Sequence, residues 1–349
     1  MGTVPLLEDL DAAWLSSCLG LEGDFELERT SIGSGQVAQC HRFVLRSPEG
    51  AQFSVVAKTP SSDDTSRSTA ALQQLYVRET SFYAQLASHI TTRTPHCYYA
   101  QGEGNDSFLL LLEDMVPALD VDQFDGLSIE MARTALRELA GLHGPTMGDT
   151  SLHDAEWLNG VANALRPLYA AVLPSLFAAF LERYANSIDE GTAQFVRELA
   201  DALTLFSEYQ SPHACVTHGD FRTDNLLFGA QGGSVALCVV DWQTVGVGSP
   251  MLDVAYFLTT SLSPEERETH EEELLHYYVE QLTAHGVSFS EDLVRREYAR
   301  YTLQPVVMLV AAAGLVERTP RGDAMFLSMI ERGARAARQW RAFDELRAC

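Results

Sequence analysis

The chain has 349 residues, about twice the span of an ordinary domain, and its 46% hydrophobic and 21% charged content is globular. Its 24 Lys plus Arg stand against 48 Asp plus Glu, a net charge of −24 that repels phosphate backbones and anionic lipid. Disordered and collagen-like classes are excluded, nucleic acid and membrane surfaces are not expected as partners, and a chain this long needs no disulfide or metal staple.

In chain order, residues 5–20 read as a short amphipathic helix ending at Gly20. FELERTSI, CHRFVLR and FSVVAK from Phe25 to Lys58 then form a strand meander, with a turn at Ser47-Pro48-Glu49-Gly50. Pro60 to Ser68 is polar and reads as a loop. A helix is predicted to follow, with Leu72, Leu75, Tyr76, Phe82, Tyr83 and Leu86 on one stripe. FLLLLEDM reads as a buried strand, and MARTALRELAGLH as a helix stopping at Gly144-Pro145. Helices are expected from about 155 to 209, then a β-rich stretch from Val216 to Trp242, then a second helical block. The order is a small β-rich lobe followed by a larger helical one.

The first 15 residues lack a basic n-region, and the longest apolar run, Val306 to Val316, is too short to span a bilayer. The six cysteines are scattered, with no CxxC pair, and Cys215 and Cys238 lie in apolar stretches as small core residues. A soluble, cytoplasmic protein is expected.

Five features carry chemistry. Gly33-Ser34-Gly35 between two strands is either a hairpin turn or a loop whose N–H groups approach a polyphosphate. Lys58 is the single lysine among the 24 basic residues, so one position alone carries a compact ammonium. Glu79 falls on the apolar stripe of its helix and, if buried, needs a cation. Lys58 is the partner expected; pairing with Arg78 or exposure to solvent are the alternatives. HGDFRTDN, 218–225, places Asp220 and Asn225 five apart in one loop, an acceptor for a hydroxyl proton and an oxygen ligand for Mg²⁺. Asp241 in VALCVVDWQ follows a hairpin turn at 230–233 that is expected to return it beside Asn225 and complete a hard-oxygen metal site.

This series resembles the aminoglycoside phosphotransferase and choline-kinase-like group of small-molecule kinases. HGDFRTDN and DWQ stand where protein kinases carry HRDLKxxN and DFG. The resemblance covers about residues 25 to 260. It implies an α+β, protein-kinase-like bilobal fold: a helical extension (1–24), a nucleotide-binding N-lobe (25–115) and a C-lobe (116–349) with catalytic loop, metal site and substrate-binding helices. It further implies that Asp220 is the catalytic base and that Asn225 and Asp241 hold Mg²⁺. Lys58, paired with Glu79, would contact the α/β-phosphates, and backbone groups of Glu113 to Met115 would form the adenine hinge. Arg222 would either touch the γ-phosphate or pair at the surface. His218 would brace the loop, and Asp253 in SPMLDVAYFL would hold it by hydrogen bonds. ATP is the expected donor, with GTP open because Ala38 replaces the third glycine of the loop. A small-molecule hydroxyl is the acceptor, an antibiotic or other natural product first; metabolic kinase and pseudokinase readings are the alternatives. Only a few residues separate Asp241 from Pro250, too few for the segment on which protein substrates dock. Asp114, Asp120, Asp122, Asp125 and Glu265 to Glu273 form either a site for a cationic substrate or a solvated face. Arg332, Arg335, Arg338 and Arg341 form either an exposed helix face or an anion site.

Overall fold

The computed structural model describes residues 3–33, 37–209, 211–315 and 319–348. The chain divides into two compact units, Met1–Ala118 with Gly229–Val245, and Leu119–Phe228 with Gly246–Cys349.

The first unit is built on a five-stranded antiparallel sheet in the order β1-β2-β3-β5-β4, with β1 Glu26–Ile32, β2 Ala38–Arg46, β3 Gln52–Pro60, β4 Cys97–Glu103 and β5 Ser107–Glu113. Strand β5 sits between two neighbours, and its run Phe108–Leu112 is buried throughout, which is why it reads as continuous rather than alternating hydrophobicity. Edge strand β1 carries Glu26, Glu28 and Arg29, charges that discourage pairing with another sheet. Helix α1, Ala12–Leu19, is capped by the Asp11 side chain and stopped by left-handed Gly20; its Leu15 packs with Phe43, Leu45, Val55, Leu109 and Leu111 into the core.

Two expectations are corrected in this unit. The polar stretch after Pro60 is not all loop: Asp63 accepts the Ser66 N–H at 2.7 Å and starts helix α2, Asp64–Leu72. The stripe from 72 to 86 is not one helix either. Gln74, at φ 52°, separates α2 from α3, Leu75–Ser81, which continues into a π-turn at Phe82–Leu86. Leu72 is therefore exposed, while Leu75, Tyr76, Glu79, Phe82, Tyr83 and Leu86 are buried.

The second unit is helical: α4 Ile129–Thr146, α5 Thr150–His153, α6 Glu156–Arg183, α7 Glu190–Glu208, α8 Met251–Ser261, α9 Pro264–Ala284, α10 Glu291–Tyr301, α11 Gln304–Leu315, α12 Pro320–Gln339 and α13 Ala342–Arg347. Side-chain caps from Ser128, Asp189, Ser263, Ser290 and Thr319 start α4, α7, α9, α10 and α12, with proline at the first helical position of α9 and α12. Helix α4 runs through Gly144-Pro145 instead of stopping there. The proline lies one residue from its end, so it disturbs only the last turn, where the Thr146 hydroxyl donates back to the Leu142 carbonyl at 2.8 Å.

Four short strands complete the chain: β6 Cys215–Thr217, β7 Leu226–Ala230, β8 Val235–Val239 and β9 Gly246–Gly248, with β6 paired to β9 and β7 to β8. No helix is long and apolar enough to cross a membrane among the described residues. Cys215 and Cys238 are buried and, like Cys18, Cys40 and Cys97, unbridged.

Candidate active site

Lys58 stands near the end of β3 and is only 8% exposed. Its Nζ lies 2.8 Å from Glu79 Oε1 and 2.7 Å from Glu79 Oε2, so the ammonium faces both oxygens of a carboxylate delivered by α3. Asp241 Oδ1 is 2.7 Å from the same Nζ. Burial alone would lower the Lys58 pKa; Asp241 and Glu79 outweigh it and hold the ammonium above its ordinary range. Burial pushes the Glu79 carboxyl up against the pull of Lys58.

Two carboxylates share one cation here, and Asp241 is the more exposed, with 30% of its side chain open against 1% for Glu79. The surplus negative charge thus sits at the carboxylate with solvent access. Asp241 holds left-handed backbone at φ 65°, an arrangement costing a non-glycine residue about 1 to 3 kcal/mol that persists only where surroundings impose it. Those surroundings are visible: Gln243 Nε2 donates to Asp241 Oδ2 at 3.3 Å, and the buried Trp242 ring stacks on Phe82 of the turn after α3, centroids 3.9 Å apart. Trp242 and Gln243 are positions that spacing alone does not single out, since their roles depend on what α3 brings against them.

At the end of β5, the Glu113 N–H donates to the His96 carbonyl at 2.8 Å and the Met115 carbonyl accepts from the Gln231 N–H at 2.9 Å. These two backbone groups are therefore committed within the unit. Burial would raise the Glu113 pKa, but the His96 N–H at 2.9 Å, Arg93 and Gln231 Nε2 at 2.6 Å, all bonded to its carboxylate, draw it down. Gly33 turns at φ 72°, as a glycine bend should; Ser34 and Gly35 lie outside the described residues.

In the second unit the HGDFRTDN segment is held from below. Asp253, 1% exposed on α8, accepts the backbone N–H of His218 at 2.6 Å and of Gly219 at 2.9 Å. Burial alone would raise its pKa; the hydrogen bond from His143, the neighbouring His143 and His218 rings and the Gly219 N–H bring it below the usual carboxylate range. His218 is wholly buried, and its Nδ1 accepts the Asp220 N–H at 3.3 Å. Asn225 donates its side-chain amide to the Asp220 carbonyl at 2.8 Å and to Asp220 Oδ2 at 3.0 Å. Buried Tyr256 also hydrogen-bonds to Asp220. Arg222 pairs with Asp220 at 3.3 Å and with Asp224, its side chain largely buried. Tyr256 and His143 are functional candidates that the motif does not contain; they come from helices distant in sequence.

The acidic and basic clusters turn out to serve packing. Asp114 is buried and bonded to Arg42 at 2.6 Å, and Asp122 pairs with Arg321 at 3.0 Å. Glu265 and Glu268 pair with Arg335, Glu272 with Arg295, Glu273 with Arg133, and buried Glu271 with Arg267. Arg332 donates to the carbonyls of Gln123, Phe124 and Thr260, and Arg338 to that of Gly191. Arg341 pairs with Asp344 beyond the end of α12. Arg332, Arg335 and Arg338 thus tie α12 to its neighbours, while Asp120 and Asp125 stay exposed.

Among the described residues no group of three or more His, Cys, Asp or Glu side chains is arranged to hold a metal ion. The Asp241 carboxylate in the first unit and the Asn225 side-chain oxygen in the second are each hard oxygen donors.

Residues 42–288 match the model of the ecdysteroid kinase-like family. An uncharacterized oxidoreductase, dhs-27, of Caenorhabditis elegans is 22% identical over 324 residues; the match covers 81% of this chain but only 39% of that protein, so the chain spans about two fifths of its relative's length. The fold is similar to that of the GDP complex of wild-type aminoglycoside 2'-phosphotransferase-IIIa, with TM-score 0.52, 13% identity, and coverage of 89% of this chain and 93% of that one. It is also similar to amicoumacin kinase hAmiN in complex with AMP-PNP, Ca²⁺ and Ami, with TM-score 0.50, 12% identity and 93% coverage of each chain. With an α+β, protein-kinase-like fold and a family match over most of its length, the chain belongs to the ecdysteroid kinase-like family.

Proposed function

We propose that the chain is a cytoplasmic phosphotransferase that moves the γ-phosphoryl group of Mg-ATP to a hydroxyl of a small molecule. The observation that carries this reading is the sole lysine of the chain, buried between Glu79 and Asp241 with the surplus charge on the exposed carboxylate. A purely structural buried ion pair needs one carboxylate; the second, in strained backbone, asks for a further cation. The nucleotides bound by the two structural relatives support a nucleotide donor here, with GTP open beside ATP.

In this reading residues 25–115 serve the nucleotide and 116–349 the catalytic loop, metal ligands and acceptor, with 1–24 a helical extension. Lys58 contacts the phosphates, and Gly33, Ser34 and Gly35 offer backbone N–H groups to them. Backbone groups of the Glu113–Met115 segment that remain uncommitted meet the base. Asp241 and Asn225 are the proposed oxygen donors to Mg²⁺, which when bound neutralises charge on the phosphoryl oxygens. Asp220 takes the proton of the acceptor hydroxyl as its oxygen bonds to phosphorus and ADP leaves. Asn225, Tyr256 and Arg222 fix the Asp220 carboxylate, while His218 and Asp253 fix the loop backbone. We propose a hydroxylated natural product as acceptor, in line with the amicoumacin of the second relative and the ecdysteroids of the family's name.

Incubation with Mg-ATP and a panel of hydroxylated natural products, including antibiotics and steroids, followed by mass spectrometry, tests the reading. A product heavier by one phosphoryl group is expected. Asp220→Ala should lower kcat by roughly 10²- to 10⁴-fold while leaving ATP affinity nearly unchanged. Full activity in that variant would remove Asp220 from its role, and nucleotide binding without any phosphorylated product would favour a pseudokinase.

A further inference from the structure

We propose that His143 is a positioning residue for the Asp220 loop, acting through Asp253 and itself held by Tyr278. Its bearing on turnover rests on the phosphotransferase reading above; the positioning itself does not.

His143 lies on α4, with no exposed surface, well outside the HGDFRTDN motif. Its Nε2 is 3.1 Å from Asp253 Oδ2 and its Nδ1 is 2.7 Å from the Tyr278 hydroxyl on α9. An ionised carboxylate only accepts, so Nε2 carries a proton and donates to Asp253. In the neutral ring Nδ1 then accepts, and the Tyr278 hydroxyl, whose pKa burial pushes well up, keeps its proton to donate. The chain of donors runs Tyr278 to His143 to Asp253, all three buried.

Asp253 has work to do at both oxygens. Oδ2 accepts from His143 and from the His218 N–H, and Oδ1 from the Gly219 N–H. Gly219 turns at φ 83°, so the loop just before Asp220 departs from extended backbone and depends on its N–H anchors. Without the imidazole donor, the Asp253 carboxylate keeps, among the described residues, the two backbone groups it is meant to fix. The close approach of α4 to the end of α9 belongs to the same arrangement: a Cβ on Gly144 would lie 2.5 Å from the His285 Cβ.

The test compares full-length wild type with His143→Phe, His143→Gln and Tyr278→Phe, using two measurements. Amide hydrogen exchange across 215–222 reads the His218 and Gly219 anchors without any substrate. ADP release from Mg-ATP, with water as acceptor, reads kcat and KM. In His143→Phe, exchange should accelerate about ten- to a hundredfold, the effect of one hydrogen bond to a charged group. Its kcat should fall about tenfold at unchanged KM. His143→Gln, whose amide can still donate to Asp253, should recover most of both, and Tyr278→Phe should show a smaller acceleration. Unchanged exchange in His143→Phe overturns the proposal, as does failure of Gln to rescue. Should His143→Phe not fold, unchanged exchange in Tyr278→Phe overturns it instead. Absence of ADP release from wild type would reject the phosphotransferase reading, leaving the exchange measurement to decide the positioning role.

Discussion

At Lys58 one ammonium meets Glu79 within 2.8 Å and Asp241 at 2.7 Å. Lys58→Met should therefore destabilise the protein by about 3 to 5 kcal/mol, since it leaves buried Glu79 without its counter-ion, and urea denaturation measures this. A loss below about 1 kcal/mol would mean that Glu79 is protonated or otherwise satisfied in the native state. Asp253 titrates in the opposite sense. Its folded pKa lies below that of the unfolded chain, about 3.9, so its contribution is fully present above that value and lost as pH falls through the folded one. Asp253→Asn should flatten the acid limb of the stability curve below about pH 4. Equal acid limbs in the two proteins would contradict the assignment. At this scale the sequence was informative where chemistry is rare: a lone lysine, and a carboxylate on an apolar stripe. The parts played by Tyr256 and His143 were not legible, because they depend on which distant residues the fold brings against them.

Among the elements, sequence pattern gave β1, β2, β3 and β5 of the first sheet and the long helices of the second unit, missed edge strand β4, and failed at breaks. The stripe from Leu72 to Leu86 is helical in pattern, yet Gln74 in left-handed backbone cuts it, so that α3 can present Glu79 to Lys58. Tertiary contact outweighs local propensity there. The helix through Gly144-Pro145 shows the reverse, punctuation that packing overrides. Gly144→Ala should cost about 1 to 3 kcal/mol, because the added methyl meets the His285 Cβ rather than the mobile tip of a side chain. Thermal unfolding should show this as a fall of several degrees in Tm; an unchanged Tm would mean that the end of α9 yields freely. Strand β9, only three residues long, carried no signal because it exists only through pairing with β6.

For the whole molecule, the net charge of −24 opposes the approach of an anionic nucleotide. Raising ionic strength from about 20 to about 150 mM should leave Mg-ATP affinity constant or higher, as screening relieves that repulsion. A steep loss of affinity with salt would show instead that local cations dominate the encounter, and a titration at constant pH decides it. The acidic tracts that suggested a cationic substrate are mostly neutralised by arginines from distant helices, so net charge and charge exposed to a ligand are different quantities.

Composition, strand texture and the ordered series Lys58, Glu79, HGDFRTDN and DWQ were enough to reach the fold class and the family resemblance, because each depends on residue type and spacing along the chain. What lies beneath the loop was decided only on folding. Asp253 meets His143 across 110 positions and His143 meets Tyr278 across 135, distances over which no periodic pattern carries information. Which charges remain open was settled the same way, since an ion pair requires two side chains to share a place and a sequence records only their order.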